Sequence, residues 1–362
     1  MITELTQKMS AIDSKIIYTD QKELPFNTIT IFGAGGRGKK AVHFFRNRGV
    51  NVPAVFDNDK SKHGSSILGV KVISPDQIHK FNQWPVIIAS HWETAIYQQL
   101  QSVGVTGIYH GFRHHSLSYE PELIKNYGQK LNKLMAQMAD EASKKIFASA
   151  LLSRMHGDDG YLRISPYCQY CHPVVKAFPN ETVLDAGGLS GDTAKVFFEQ
   201  MQHRGKIYCF EPCIDHYELL CKSLKDYDYN EIVVPVCKGI WKERATVSFK
   251  QFFDEPGCSR IVSDGEQRIE VISIDEFVQE EGLDRVDLIK SDIEGAEMEL
   301  LQGAEKTIRK YIPKLQISIY HYIEHLWEIQ EYILNLEKRY NIYIGHHKTI
   351  QTETVLYAMP PS

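Results

Sequence analysis

The sequence predicts an α/β protein built from two doubly wound units, a smaller one followed by a larger one that closes with an antiparallel hairpin. Three observations predict it. Apolar runs of strand length alternate with helix-period segments along most of the 362 residues, and that alternation implies parallel sheets. Two of the runs end in glycine-rich turns, at residues 33–38 and 187–191. The last two runs, residues 341–345 and 354–358, read as paired antiparallel strands.

The first unit spans residues 1–118. Its polar start, residues 1–25, reads as a helical lead-in. TITIFGAG reads as a buried strand entering a turn, followed by a helix over 36–47 that carries Ala41, Val42, Phe44 and Phe45. VNVPAVFDND reads as a second strand. Ser74 and Pro75 mark a helix start, as N-cap and first helical residue. PVIIAS at 85–90 is another strand, a helix covers 92–102, and a short strand lies near Ile108. Residues 119–160 form a helical connector. Ile124, Tyr127, Leu131, Leu134 and Met138 recur there at spacings of three and four, which fits one helix packing across a domain junction.

The second unit spans 161–362. Its strands are expected at 182–186, 206–210, 232–237, 287–291 and 314–320. Its helices are expected at 193–202, 217–224, 274–280 and 295–310.

Composition narrows the function. A net charge of −5 argues against a nucleic-acid-binding surface. No apolar run reaches the roughly 18–20 residues of a membrane span, and the N-terminus lacks the apolar core of a signal peptide. The expectation is a cytoplasmic protein. Its seven cysteines are an odd number without an export signal, so no disulfide framework is expected. Cys168-x-x-Cys171-His172 matches the spacing of haem attachment and offers three zinc donors. The compartment disfavours haem and a fourth ligand is lacking, so the segment reads as a loop with buried, reduced thiols.

VLDAGGLSGDT, residues 183–193, carries the chemistry. A strand ends in Asp185, and Gly187, Gly188 and Gly191 let the backbone turn tightly against a ligand. An acid ahead of the glycines would repel a diphosphate. It suits the ammonium end of S-adenosylmethionine, whose carboxylate can meet the helix N-terminus beside Ser190. YCFEP places Glu211 at the next strand end, where a carboxylate can accept both ribose hydroxyl protons. LIKSDIEGAEMELLQGAEKTI places Asp292 at a later strand end, facing the same crevice. Glu294, Glu297 and Glu299 crowd the following helix start. There the helix dipole already favours acids, so no metal is expected. His321 follows the ISIY strand and suits proton abstraction near neutral pH.

Read together, VLDAGGLSGDT, YCFEP, IEVISIDEFV, DLIKSDIEGAEMELLQGAE and ISIYH resemble the FkbM family of S-adenosylmethionine-dependent methyltransferases over residues 166–358. The resemblance implies a class I methyltransferase sheet of Rossmann-like form. It also implies O-methylation, often of a sugar hydroxyl in surface polysaccharides or natural products, with a small-molecule or saccharide acceptor. Asp185, Gly187, Gly188, Ser190, Gly191, Glu211 and Asp292 would hold the cofactor. His321 and Asp292 are the catalytic candidates. Gly188 and Ser190 depart from the family's common alanine and nearby asparagine. The family's serine-rich stretch survives only as Gly257-Cys258-Ser259.

In the first unit, Gly33, Gly35 and Gly38 fit G-x-G-x-x-G after a strand, with Asp57 about 20 residues on. The unit resembles the small Rossmann-like N-terminal domains of some sugar-modifying transferases, which implies a second nucleotide site for a nucleotide sugar or a structural, assembly role. NAD bound by an oxidoreductase, and a binding module without transfer activity, are the alternatives. A homo-oligomer is compatible with the sequence.

Overall fold

The computed structural model describes residues 16–18, 26–90, 92–113, 124, 126–156, 159–226, 232–251, 259–263 and 265–361. The helical lead-in expected at 1–25 and Cys258 lie outside these, apart from one short strand at 16–18. The chain divides into two compact units. One comprises Met1–Gln129, Ala148–Arg163 and Thr349–Gln351, the other Lys130–Phe147, Ile164–Lys348 and Thr352–Ser362.

The first unit holds β1 (Ile16–Tyr18), β2 (Thr30–Phe32), β3 (Val55–Phe56), β4 (Ser66–Ile67), β5 (Val70–Ile73), β6 (Val86–Ile88) and β7 (Ile108–Arg113). They form one sheet in the order β1-β7-β6-β2-β3-β5-β4. All pairings are parallel except β4 with β5. Both faces of β2 are covered, which is why TIF reads as a continuous apolar run. The helix Gly36–Asn47 buries Ala41, Val42, Phe44 and Phe45 as expected. Ser74 does cap the next segment, but Pro75–Phe81 winds as a 3-10 helix.

The second unit holds a larger sheet of β8 (Glu181–Ala186), β9 (Gly205–Phe210), β10 (Val233–Val236), β15 (Leu288–Ser291), β16 (Lys314–Ser318), β17 (Asn341–His346) and β18 (Thr354–Met359), in the order β10-β9-β8-β15-β16-β18-β17. The first five are parallel neighbours, and β18 pairs antiparallel with β16 and β17. This is the expected α/β class with its closing hairpin. Between β10 and β15 the chain inserts a second sheet of β11 (Gly239–Ile240), β12 (Ala245–Lys250), β13 (Arg260–Ile261) and β14 (Gln267–Ile272). The sequence does not set this sheet apart, because β11 and β13 have two residues each and β12 and β14 mix exposed and buried positions without an apolar run. The reading also omitted the helix His325–Leu336.

Two expected helices are broken. Residues 295–310 form two, Glu297–Gln302 and Glu305–Tyr311, because Gly303 ends the first beneath the Trp241 backbone carbonyl. The connector is likewise Gly128–Ala136 and Glu141–His156. Met138 leaves helical geometry to form a parallel bridge with Ile342 of β17. Residues 130–147 therefore belong to the second unit, and the connector is not a separate body. Among the described residues no helix is long and apolar enough to cross a membrane.

Candidate active site

The order of the larger sheet reverses between β8 and β15, and ligand crevices open at the carboxyl ends of strands at such points. A cavity of about 400 Å³ lies there, lined by Gly187, Gly188, Leu189, Glu211, Lys290 and Asp292 among others. Its size falls in the range of small-molecule sites. The glycine turn forms its floor. Gly187 has φ +86°, and a Cβ there would overlap the backbone carbonyl oxygen of Asp292. The N–H groups of Gly187 and Gly188 donate to the Phe210 carbonyl at 3.1 and 2.9 Å, which ties the turn to the end of β9. A Cβ at Gly188 would overlap the Cys209 thiol.

Glu211 leaves β9 at the cavity wall. Its carboxylate accepts the N–H of Leu189 at 3.1 Å and of Cys213 at 2.9 Å. His216 lies 3.7 Å away, and the bond to Glu211 holds its pKa above the ordinary value. The small sheet adds an apolar side to the cavity through Ile240, Phe249, Ile261 and Ile269. These four were missed in the sequence.

Asp185 does not reach the cavity, contrary to the expectation that it meets a ligand ammonium. It is fully buried and pairs with Lys290, whose Nζ lies 3.0 Å from its Oδ1. Sheet register imposes this, since Lys290 of β15 is the direct neighbour of Asp185 on one side and Cys209 of β9 on the other. Burial alone would lower the Lys290 pKa, but the charges of Asp185 and Asp292 outweigh it and hold the amine protonated. The same amine donates to the carbonyls of Ala186 and Gly187 at 3.1 and 2.9 Å. Asp185 therefore acts on the turn through Lys290. A lone lysine inside the apolar run LIKS was the overlooked signal, because a buried ammonium requires a partner.

Asp292 does line the cavity. Tyr170 donates to its Oδ2 at 2.9 Å and Tyr320 to its Oδ1 at 3.1 Å. Neither tyrosine was picked out from sequence. His321 is not among the lining residues. Its Nε2 lies 3.2 Å from Glu294 and 3.7 Å from Asp292, and its Nδ1 lies 3.0 Å from Glu297. Burial would lower its pKa, but Glu297, Glu294 and Asp292 hold it well above the ordinary value. His321 thus faces carboxylates of its own domain and is not one of the cavity-lining residues, where the expected base would stand. Burial would raise the Glu297 pKa, yet His321 and His325 hold it well below the usual carboxylate range.

Residues 185–343 match the model of the methyltransferase FkbM domain. The chain carries an FkbM methyltransferase domain. Residues 26–108 match the C2185-like N-terminal model. Methyltransferase sdnD of Sordaria araneosa is 22% identical over 173 residues, covering 39% of this chain and 66% of that protein. The matched stretch thus spans less than two thirds of that relative. The crystal structure of methyltransferase FkbM from Methylobacillus flagellatus KT covers 92% of this chain and 90% of its own, at 19% identity and a TM-score of 0.70, which shows a shared fold.

Within the FkbM domain, Gly191 has φ +90° and stands at the N-cap of the helix Asp192–Gln200. Ser190 donates to Asp192 at 2.8 Å and is not among the cavity-lining residues. Ser259 lines the cavity. Cys168 is exposed, not buried as expected, and Cys171 is partly buried. His172 stacks on Tyr357 and accepts the Val175 N–H at 3.1 Å, and burial pulls its pKa down to about 4. It is a neutral packing residue.

In the first unit the sheet order reverses between β2 and β6, and a cleft of about 560 Å³ lies there. The three glycines differ in kind. A Cβ at Gly33 or Gly38 would strike backbone, whereas one at Gly35 would meet nothing. Asp57 accepts the Ala34 N–H at 2.6 Å and lies 3.2 Å from Lys62 Nζ. Arg37, Lys62 and the exposed Trp92 also line the cleft.

Proposed function

We propose that the FkbM domain binds S-adenosylmethionine in the 400 Å³ cavity and transfers its methyl group to a hydroxyl, most suitably of a saccharide. The carrying observation is the convergence of the glycine turn, Glu211 and Asp292 on one crevice. Glu211 would accept the ribose hydroxyls. The apolar side from β11–β14 would take the adenine. Gly187 and Gly188 let the methionine end lie against the backbone. The acceptor oxygen attacks the methyl carbon in line, the carbon–sulfur bond breaks, and the sulfonium becomes a neutral thioether. Holding the oxygen in line supplies much of the acceleration. Asp292, fixed by two phenols, is the carboxylate placed to receive the hydroxyl and its proton.

Calorimetry with S-adenosylmethionine and S-adenosylhomocysteine tests this reading. Saturable binding by the wild type is expected, weakened about 10- to 100-fold in Glu211→Ala through the lost charged hydrogen bonds. Absence of adenosyl binding, or no change in Glu211→Ala, would overturn it. Transfer of labelled methyl to a saccharide panel should fall about 100-fold in Asp292→Asn, with adenosyl affinity retained.

A nucleotide sugar is the proposed ligand of the N-terminal cleft, on the basis of its open Gly35 backbone, two cationic side chains and exposed indole. Gly35→Val is expected to fold normally and to lose binding of UDP-glucose in the same calorimeter. Binding of NADH alone, abolished by Gly35→Val, would favour the oxidoreductase reading instead.

A further inference from the structure

We propose that Asp292, Glu294 and His321 together hold a divalent metal ion at the carboxyl ends of β15 and β16, beside the cavity. One donor atom from each residue lies within 4.8 Å of the other two. The His321 Nε2 is 3.2 Å from Glu294 Oε1 and 3.7 Å from Asp292 Oδ1. Ligands about 2.1 Å from a shared ion lie about 3.0 Å apart at octahedral angles and about 3.4 Å apart at tetrahedral ones. The 3.2 Å separation falls between these two values, and the 3.7 Å one lies slightly above the tetrahedral value. One imidazole with two carboxylates is a donor set suited to manganese or zinc.

The His321 ring gives an independent indication. Its side chain is only 8% exposed. Both ring nitrogens are buried without a hydrogen bond of acceptable geometry, although carboxylate oxygens lie within 4 Å of each. Buried polar atoms are nearly always satisfied. Oxygens that sit near Nε2 but off its N–H direction satisfy it poorly as hydrogen-bond acceptors. They satisfy the arrangement well as co-ligands of an ion placed among the three.

The surroundings are those of a prepared site. The other ring nitrogen faces Glu297, which is fully buried and accepts the Ile293 N–H at 3.0 Å. A carboxylate behind a ligating histidine fixes the ring and raises its donor strength. Tyr170 and Tyr320 fix Asp292. Glu294 adopts φ +55°, a conformation that L-residues avoid unless the surroundings hold it. Asp292 and Glu294 both line the cavity, so an ion held by them would keep coordination positions open on that side. Given the methyltransferase reading, an acceptor hydroxyl taking such a position would lose its proton more easily.

The test titrates Mn2+ into the full chain without adenosyl ligand, following free Mn2+ by electron paramagnetic resonance. One saturable site is expected. Glu294→Gln, His321→Ala and Asp292→Asn should each weaken it by about 100-fold or more. Glu299→Gln, on the helix Glu297–Gln302 that follows Glu294 but outside the cluster, should leave it unchanged. Thermal melts establish that each variant folds. S-adenosylhomocysteine binding is measured separately on the same samples, so failure of the adenosyl site is distinguished from failure of the metal site. No saturable Mn2+ binding by the wild type, or equal binding by folded variants, would overturn the proposal.

Discussion

Lys290→Met is expected to destabilise the FkbM domain by about 3–5 kcal/mol, the usual cost of breaking a buried ion pair by removing one partner. The reason is local. Asp185 and Lys290 are 0% and 1% exposed on adjacent strands, and among the described residues Lys290 is the cation beside that carboxylate. Methionine fills similar volume but leaves a carboxylate in the middle of a sheet. It also frees the carbonyls of Ala186 and Gly187 that the amine holds. Urea unfolding should show a lower midpoint. The double variant Asp185→Leu/Lys290→Met removes both charges and should recover most of the loss, since apolar replacement of a whole buried pair is often neutral. A single variant as stable as the wild type would show that the pair does not hold the turn. Stability recovered without adenosyl binding would mean the pair's main task is to shape the turn.

Gly187→Ala should have the second largest effect, with a loss of about 100-fold in catalytic efficiency and about 1–3 kcal/mol of stability. Two separate costs meet at this residue. Its φ of +86° is one that L-residues adopt with strain, and its Cβ would overlap the Asp292 carbonyl oxygen. The chain must then part β8 from the loop after β15, which moves Asp292 relative to the glycine turn. Gly282→Ala is the control. It shares a positive φ of +63°, but a Cβ there would meet nothing. It should cost stability alone, with unchanged kcat/KM. If Gly187→Ala behaves like Gly282→Ala, then strain accounts for the effect and the close approach of turn to loop does not matter.

What the sequence by itself determined is whatever is local along the chain. Strand-length apolar runs, helix periodicity and glycine turns are set by neighbouring residues, so the order of the main-sheet strands, the two α/β units and the closing hairpin were legible. Glu211 and Asp292 were placed correctly at strand ends for the same reason, because topology carries strand ends of an open sheet to one crevice. The tertiary structure alone decided which side chains meet there. Asp185 turned out to face Lys290, and Tyr170 to hold Asp292 across a separation of 122 residues. His321 was legible as a histidine at a strand end, but its surroundings were not. Three carboxylates from the loop and helix that follow the neighbouring strand β15 converge on it. Likewise the four-stranded insertion carries an apolar wall that no periodicity announced, because its strands mix exposed and buried positions and only their packing shows which face is inward. Pairing across sheet register and between distant loops depends on the folded backbone, and a linear pattern holds no record of it.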